Sequence, residues 1–483
     1  MQAVPRKSTV PAFFLNKVIE SYASKHSTPI SLKHMINFGN AGRNKGEKEE
    51  ADKLIKGGNF LRTELPTRLS HRLRDLQELP YAVASHPRMQ HVYDLYLEAF
   101  EGIRKQPPIT DLDANDRFCQ FMTDTLNKHR VIIPELAIGV SETSPVHLPP
   151  AALDRIMLRM LRSRISRRVI AEQHIALTQQ FRERQRKGKG RAADAKQAER
   201  HVGIVDTRLN AADAVRRCEE LMKELGGPAG EVPIILEGHT DQTFAYISEH
   251  LEFMIFELIK NAAHATVARH GASASAHPIT VTLAHNKREL MVRVSDVGGG
   301  IAPYGGLPPD PADLTFNPLL SGSTLAAPLS AQRLDIFSFS HMRRLYQHHA
   351  AAAAVIALPS AASPSLAQSL DAPPPPSPPC SSASAPQDPN ATGIMALRSV
   401  GELAGTVKEQ IERHQAQAHA QTPAADSEAD AQARSGIGLP LARMYAEYFG
   451  GSLGIWTLQG HGSDALLAVP KFGVEGAVPS HGV

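Results

Sequence analysis

Between residues 52 and 180 apolar positions return every three or four residues, and strand-like alternation is scarce. In MQHVYDLYLEAFEGIRK the positions Val92, Leu95, Tyr96, Ala99 and Ile103 share one stripe of a helix. LDRIMLRMLRSRISRRVIAEQHIAL repeats the device with Leu153, Ile156, Met157, Met160, Leu161, Ile165 and Val169. Helices in succession bury such stripes against one another, so the spacing predicts a helical bundle. The period then changes. VPIILEG (232–238), ITVTLAHNKRELMVRVSD (279–296) and SLGIWTLQGHGSDALLAVPK (452–471) have strand character. The last two each fold as a strand pair, about His285-Asn286-Lys287 and about QGHG. Helices flanking such hairpins predict an α+β domain.

From about 350 to 390 the chain is nearly all Ala, Pro and Ser, including DAPPPPSPPCSSASAPQDPN. Such a segment buries too little surface to offset its ordering entropy, which predicts disorder. Two helical patches, LDIFSFSHMRRLYQ and VGELAGTVKEQIERHQ, flank it, and the span 325–433 reads as a mostly flexible insertion. The plan is then an N-terminal segment (1–40), a helical region (41–225) and an α/β region (226–475) that the insertion interrupts.

At 483 residues with 42% hydrophobic content the chain can build substantial cores. A formal charge of +3 is no nucleic-acid signature. The basic run RERQRKGKGR (182–191) is expected to be a solvated loop. Cys119, Cys218 and Cys380 are far apart and lack ligand spacing, which implies a reducing compartment and no structural zinc. No apolar run reaches the roughly 20 residues that span a bilayer. The start has Arg6, Lys7, Lys17 and Lys25 against Glu20, a composition compatible with a mitochondrial presequence.

ELIKNAAHA (257–265) sets Glu257, Lys260 and Asn261 in a small, apolar helix. Glu257 and Asn261 are four apart and share a face. An Asn carbonyl oxygen is a hard neutral ligand that suits magnesium, and a neighbouring Glu could deprotonate a nucleophile. A solvated helix face accounts for the same spacing. Downstream, ELMVRVSD ends in Asp296 and runs into VGGGIAP. Asp296 could accept from an exocyclic amine, and Gly298, Gly299 and Gly300 let backbone approach a ligand. In RSGIGLPLARMYAEYFGGSL, Gly436 and Gly438 lead into a helix with Pro440 in its first turn and Gly450-Gly451 at its end. A glycine loop feeding a helix N-terminus suits phosphates.

The order of polar helix, strand ending in DxGGG, long excursion, GxGLP helix and hairpin resembles the GHKL ATPase superfamily of gyrase and the histidine kinases. ELIKNAAHATV, SDVGGGIAP and GIGLPLARMYAEYFGGSL are similar to the mitochondrial α-ketoacid dehydrogenase kinases, pyruvate and branched-chain. TPISLKHMINFG, FLRTELPTRLSHRLRDLQELP and ISRRVIAEQHIAL resemble the helical half of that family. The resemblance implies a four-helix bundle followed by a GHKL (Bergerat) α/β sandwich. It implies MgATP as cofactor, with Asn261 on magnesium and phosphates. Asp296 would read adenine, with Gly298, Gly300, Gly436, Gly438 and Leu439 shaping the pocket. Glu257 would be the general base, assisted by Lys260, and Ser463 stands where the family usually has Thr.

It further implies a matrix protein-serine/threonine kinase that inactivates the first-component α subunit of a dehydrogenase complex. Lipoyl domains of the acyltransferase core would be its docking partners, and a homodimer its assembly. Phe253 occupies the place of a His found in pyruvate-directed members, and His264 replaces an Arg. These departures keep open an ATP-binding scaffold that transfers no phosphate. His174 lies in a segment like the phospho-accepting helix of histidine kinases, but Gln173 replaces the neighbouring acid, and a packed histidine is expected.

Overall fold

The computed structural model describes residues 12–43, 46–187, 200–301, 336–344, 347 and 437–471. The first half is helical: α1 (Ala12–Ala23), α2 (Leu32–Arg43), α3 (Glu47–Gln77), a short α4 (Tyr81–Ala84), α5 (Pro87–Arg104), α6 (Leu112–Lys128), α7 (Ile132–Glu142) and α8 (Pro150–Lys187). Capping fixes several starts. The Asp111 carboxylate accepts the Ala114 N–H at 2.7 Å to open α6, and Pro87 occupies the first turn of α5, where its missing N–H costs nothing.

Helix α3 is the hub, touching α1, α2, α5, α6 and α8. Ile19 of α1 and Met35 and Ile36 of α2 are buried in the helical core. The α5 and α8 stripes face inward as expected, with Val92, Tyr96, Leu153, Met157 and Met160 fully buried. Helix α8 goes beyond a one-stripe pattern. Arg164, Ser166, Arg167, Gln173 and His174 are buried as well, because α3 and α6 cover one side and a later helix covers another. The basic run departs from the expected loop, since residues 182–187 continue α8. Arg182 pairs with Asp113 and Asp116 of α6, and Arg184 with Glu50 of α3.

The mixed α/β region starts at His201, ahead of the expected boundary at 226. Strands β1 (His201–Val202) and β2 (Val205–Asn210) precede α9 (Ala211–Leu225), a one-turn α10 (Gly227–Gly230), β3 (Ile234–Gly238), β4 (Thr243–Ile247) and α11 (Ser248–His270). Then come β5 (Ile279–His285), β6 (Glu289–Asp296), α12 (Gly438–Tyr448), β7 (Ser452–Leu458) and β8 (Gly462–Pro470). A three-stranded sheet has the order β1-β2-β4 and a five-stranded sheet the order β3-β5-β6-β8-β7.

Both expected hairpins form, with Leu283 opposite Val292 and Ile455 opposite Ala465. The β3–β5 pair is parallel, a feature that hairpin signals alone do not report. Leu290, Val292, Val294, Leu467 and Val469 turn one face of the larger sheet toward α11 and α12. This face joins the core continuous with the helical half, and Asp296 and Ser463 extend it at the strand ends.

The halves meet through α12. Arg162 of α8 approaches Glu447 at 3.7 Å, and Tyr448 hydrogen-bonds Ser166. Residues 336–344, inside the span read as mostly flexible, are fastened to the helical half. Phe339 and Met342 are buried, Asp154 accepts the Ser340 N–H and hydroxyl at 2.9 Å each, and Arg343 donates to the Leu148 carbonyl at 2.7 Å. The Ala/Pro/Ser tract lies outside the described residues. No helix among the described residues is long and apolar enough to cross a membrane.

Candidate functional site

Helix α11 places Glu257, Lys260 and Asn261 on adjoining turns. Glu257 is only 1% exposed, and its carboxylate takes a 2.7 Å bond from the Lys260 ammonium. A buried carboxylate without such a partner would be strongly unfavourable. Lys260 also lies over the Phe256 ring at 5.3 Å, which fixes its stem. Asn261 is exposed and its amide nitrogen donates to the Glu257 carbonyl at 2.7 Å, which leaves Oδ1 as the free lone-pair donor. Thus the two polar groups expected to point alike differ in burial. Glu257 is enclosed and Asn261 is at the surface of the site.

Gly438, the first residue of α12, encloses Glu257. A Cβ there would fall 2.1 Å from Glu257 Oε2, well inside any real contact. Only a glycine lets the helix start lie on the carboxylate. Leu439 follows on the first turn, half-buried against the core. Gly436 lies outside the described residues. Phe253, one turn before Glu257, is buried against Tyr445 with centroids 5.1 Å apart, so an apolar contact fills the place where a His/Glu pair would need an imidazole.

A second group forms where β6 ends. The Asp296 carboxylate accepts the Gly298 N–H at 2.8 Å and the Ser463 N–H, and Ser463 is its register partner on β8. Burial raises the Asp296 pKa, with the nearby Asp464 charge adding to it and the two N–H donors opposing. Gly298 packs on α11 so closely that a Cβ would meet Ala265 Cβ at 2.5 Å. Gly300, at φ +78°, approaches the Leu458 carbonyl, 2.6 Å from where its Cβ would sit. A cleft of about 560 Å³ opens here, lined by Asp296, Thr457, His461, Ser463, Arg269 and Trp456, among others.

Sequence reading missed Thr457, Gly462, His461 and Arg269. Gly299 donates to the His461 carbonyl at 3.1 Å and accepts from Gly460 at 2.9 Å, while Arg269 of α11 donates to the same His461 carbonyl at 3.0 Å. A Cβ at Gly462 would fall 1.8 Å from the Asp296 carbonyl oxygen. The available signal was the alternation in SLGIWTL, which sets Thr457 on the face of Leu453 and Ile455 at the strand end.

His174 is 4% exposed and bonded to Asn115 Oδ1 at 2.9 Å, and burial lowers its pKa to about 4. This is the packed histidine expected, not a group open to a phosphate. Cys119 and Cys218 are free and buried, with burial raising both thiols, Cys119 to about 11.

These groups fit a magnesium nucleotide. Asn261 Oδ1 is a hard oxygen one turn from Glu257, on which the start of α12 lies, the dipole of that helix favours anions, and the Asp296 carboxylate lines the open cleft. Residues 29–206 match a family model described as mitochondrial branched-chain alpha-ketoacid dehydrogenase kinase. The chain is 28% identical over 292 residues to the mitochondrial [pyruvate dehydrogenase (acetyl-transferring)] kinase 2 of Saccharomyces cerevisiae, covering 59% of this chain and 57% of that one. It is 28% identical over 295 residues to the Arabidopsis thaliana pyruvate dehydrogenase kinase, covering 59% and 74%. Against isozyme 3 of Homo sapiens the figures are 29% over 303 residues, covering 59% and 69%. The alignment thus spans little more than half of the yeast relative.

Proposed function

Because the chain belongs to the mitochondrial α-ketoacid dehydrogenase kinase family, we propose that it is an ATP-dependent protein-serine/threonine kinase. Its substrate is the first-component α subunit of a mitochondrial α-ketoacid dehydrogenase complex, which it inactivates in the matrix. The observation that carries this reading is the enclosure of the Glu257 carboxylate between the Lys260 ammonium and the Gly438 helix start. That arrangement orients a carboxylate in a water-poor setting beside a helix N-terminus.

MgATP supplies the γ-phosphoryl group and the metal charge that offsets it. Asn261 offers Oδ1 to the metal, and the N-terminus of α12 faces the phosphates with its unpaired N–H groups. Asp296 and Ser463 hold the adenine edge. Glu257 directs and deprotonates the substrate hydroxyl, and Lys260 holds that carboxylate in orientation. Positioning and electrostatics provide the rate, as expected for phosphoryl transfer. The assembly is a GHKL sandwich behind a four-helix bundle.

The helical half is proposed to dock lipoyl domains of the acyltransferase core. Phe38 and Phe60 support this, being 41% and 39% exposed on α2 and α3 beside Gly57. A homodimer is proposed through the outer face of the five-stranded sheet, where Trp456 is 50% and Ile235 43% exposed.

The burial of Glu257 and the Phe253 contact also favour a second reading, an ATP-binding scaffold of the same complex. One experiment separates them. The protein is incubated with γ-labelled MgATP and, separately, pyruvate and branched-chain first components, with Asn261→Ala as control. Label on a serine of one subunit, absent in the control, is expected and names the substrate. ATP binding without label on either component would overturn the kinase in favour of the scaffold.

A further inference from the structure

Thr457 makes no contact that the nucleotide reading requires, yet three groups of the cleft converge on its hydroxyl. It accepts the Ile301 N–H at 2.7 Å, and the Ser463 hydroxyl donates to it at 3.2 Å. Its own proton faces the Gly462 carbonyl at 3.5 Å. A Cβ at Gly300 would fall 2.8 Å from the same oxygen. One side chain on edge strand β7 therefore ties down the end of the DxGGG loop and sets the direction of the Ser463 hydroxyl.

We propose that Thr457 is a specificity-determining positioning residue, which orients Ser463 so that the cleft offers hydrogen-bond acceptors to the nucleobase. The proposal rests on the nucleotide reading of the site. With its proton committed to Thr457, Ser463 presents oxygen lone pairs beside the acceptor Asp296, its neighbour in the β6–β8 register. Two acceptors match the 6-amino group of adenine, a donor, and oppose the 6-oxo group of guanine, an acceptor. The hydroxyl of a serine rotates freely unless something holds it. A neighbouring threonine whose own proton is occupied supplies that hold.

Thr457→Val keeps the shape and removes the acceptor. The Ser463 hydroxyl is then free to turn its proton toward a 6-oxo group. Equilibrium binding of ATP and GTP is measured on the full chain for the wild type, Thr457→Val, Thr457→Ser, Ser463→Ala and the Thr457→Val/Ser463→Ala double variant. Thr457→Val is expected to weaken ATP about tenfold, the scale of one lost hydrogen bond, and to leave or improve GTP binding. Thr457→Ser restores the wild-type preference. In the Ser463→Ala background Thr457→Val changes the ATP-to-GTP ratio no further, because the hydroxyl it directs is gone.

An unchanged ratio in Thr457→Val, or an equal loss with and without the Ser463 hydroxyl, overturns the proposal. Should Thr457→Val not fold, Ser463→Ala decides: a lowered ATP preference supports the proposal and an unchanged one refutes it. A wild-type protein that binds neither nucleotide removes the nucleotide reading together with this inference. Wild-type ATP binding with an indifferent Thr457 removes the inference alone.

Discussion

Histidines that the fold holds neutral make it acid-labile, and His174, His129 and His250 show this most strongly. Burial lowers His174 to about 4, and it lowers His129 and His250 to about 3 each, with Arg167 adding to the effect at His129 and Arg168 at His250. Each folded-state value lies below the unfolded one of 6.5, so the unfolded chain takes up protons first as pH falls. Stability is therefore lost from about pH 6.5 downward. At pH 5 the unfolded imidazole is almost fully protonated and the folded one almost neutral, which costs about 2 kcal/mol per histidine. Together they remove about 6 kcal/mol, a large share of a total of about 5–15 kcal/mol. Asp75 and Asp296, raised by burial, act in the opposite direction and reduce the loss.

The direct perturbation is His174→Gln, which keeps an amide donor for Asn115 but does not titrate. Urea unfolding followed by helical circular dichroism at pH 7.5 and pH 5 gives the loss for each protein. The variant is expected to start less stable at pH 7.5 and to lose about 2 kcal/mol less than the wild type on acidification. An equal loss in both would refute the assignment of His174 as a neutral buried group.

Lys260→Met leaves the Glu257 carboxylate buried without its partner and should cost about 3 kcal/mol, whereas Lys260→Met with Glu257→Gln should cost less than the single change; thermal or urea unfolding of the three variants checks both. Gly438→Ala puts a methyl group 2.1 Å from Glu257 Oε2 at the helix start that faces the phosphates, and loss of both ATP binding and phosphoryl transfer by at least about tenfold is expected in binding and steady-state assays. With the Asp296 pKa raised, the carboxylate protonates at a higher pH than the ordinary 3.8, so ATP affinity should fall on acidification before an ordinary aspartate would titrate. Asp296→Asn should bind ATP poorly and without that pH dependence, as calorimetric titration would report.

The helical half was legible because its side-chain period is repeated over long stretches, and both hairpins were legible because each has a turn between alternating runs. The three-stranded sheet was not. HVGIVDTRLN is short and follows a basic run, so its pairing with Thr243–Ile247 depends on contacts 33 to 42 residues away that no local pattern reports. At the site, residue types and order singled out Glu257, Asn261 and Asp296 as candidates. Their roles within it depend on depth. Nothing in a four-residue spacing distinguishes an enclosed carboxylate from an exposed amide, since that is decided by Gly438, distant in sequence. The interlocking of the DxGGG loop with the QGHG turn was hidden for the same reason. Its bonds run between backbone groups, which carry no side-chain signature.

The docked turn at residues 336–344 bears on how the chain can vary over evolutionary time. Asp154 and Leu148 hold Ser340 and Arg343 in place, and α12 begins again at Gly438, so the chain that joins them has a fixed point at each end. Closing such a connection costs entropy that grows only with the logarithm of its length, about 0.6 kcal/mol for each doubling. At that scale a change in the number of residues between these two points costs little while Glu257, Asp296 and Gly438 keep their places.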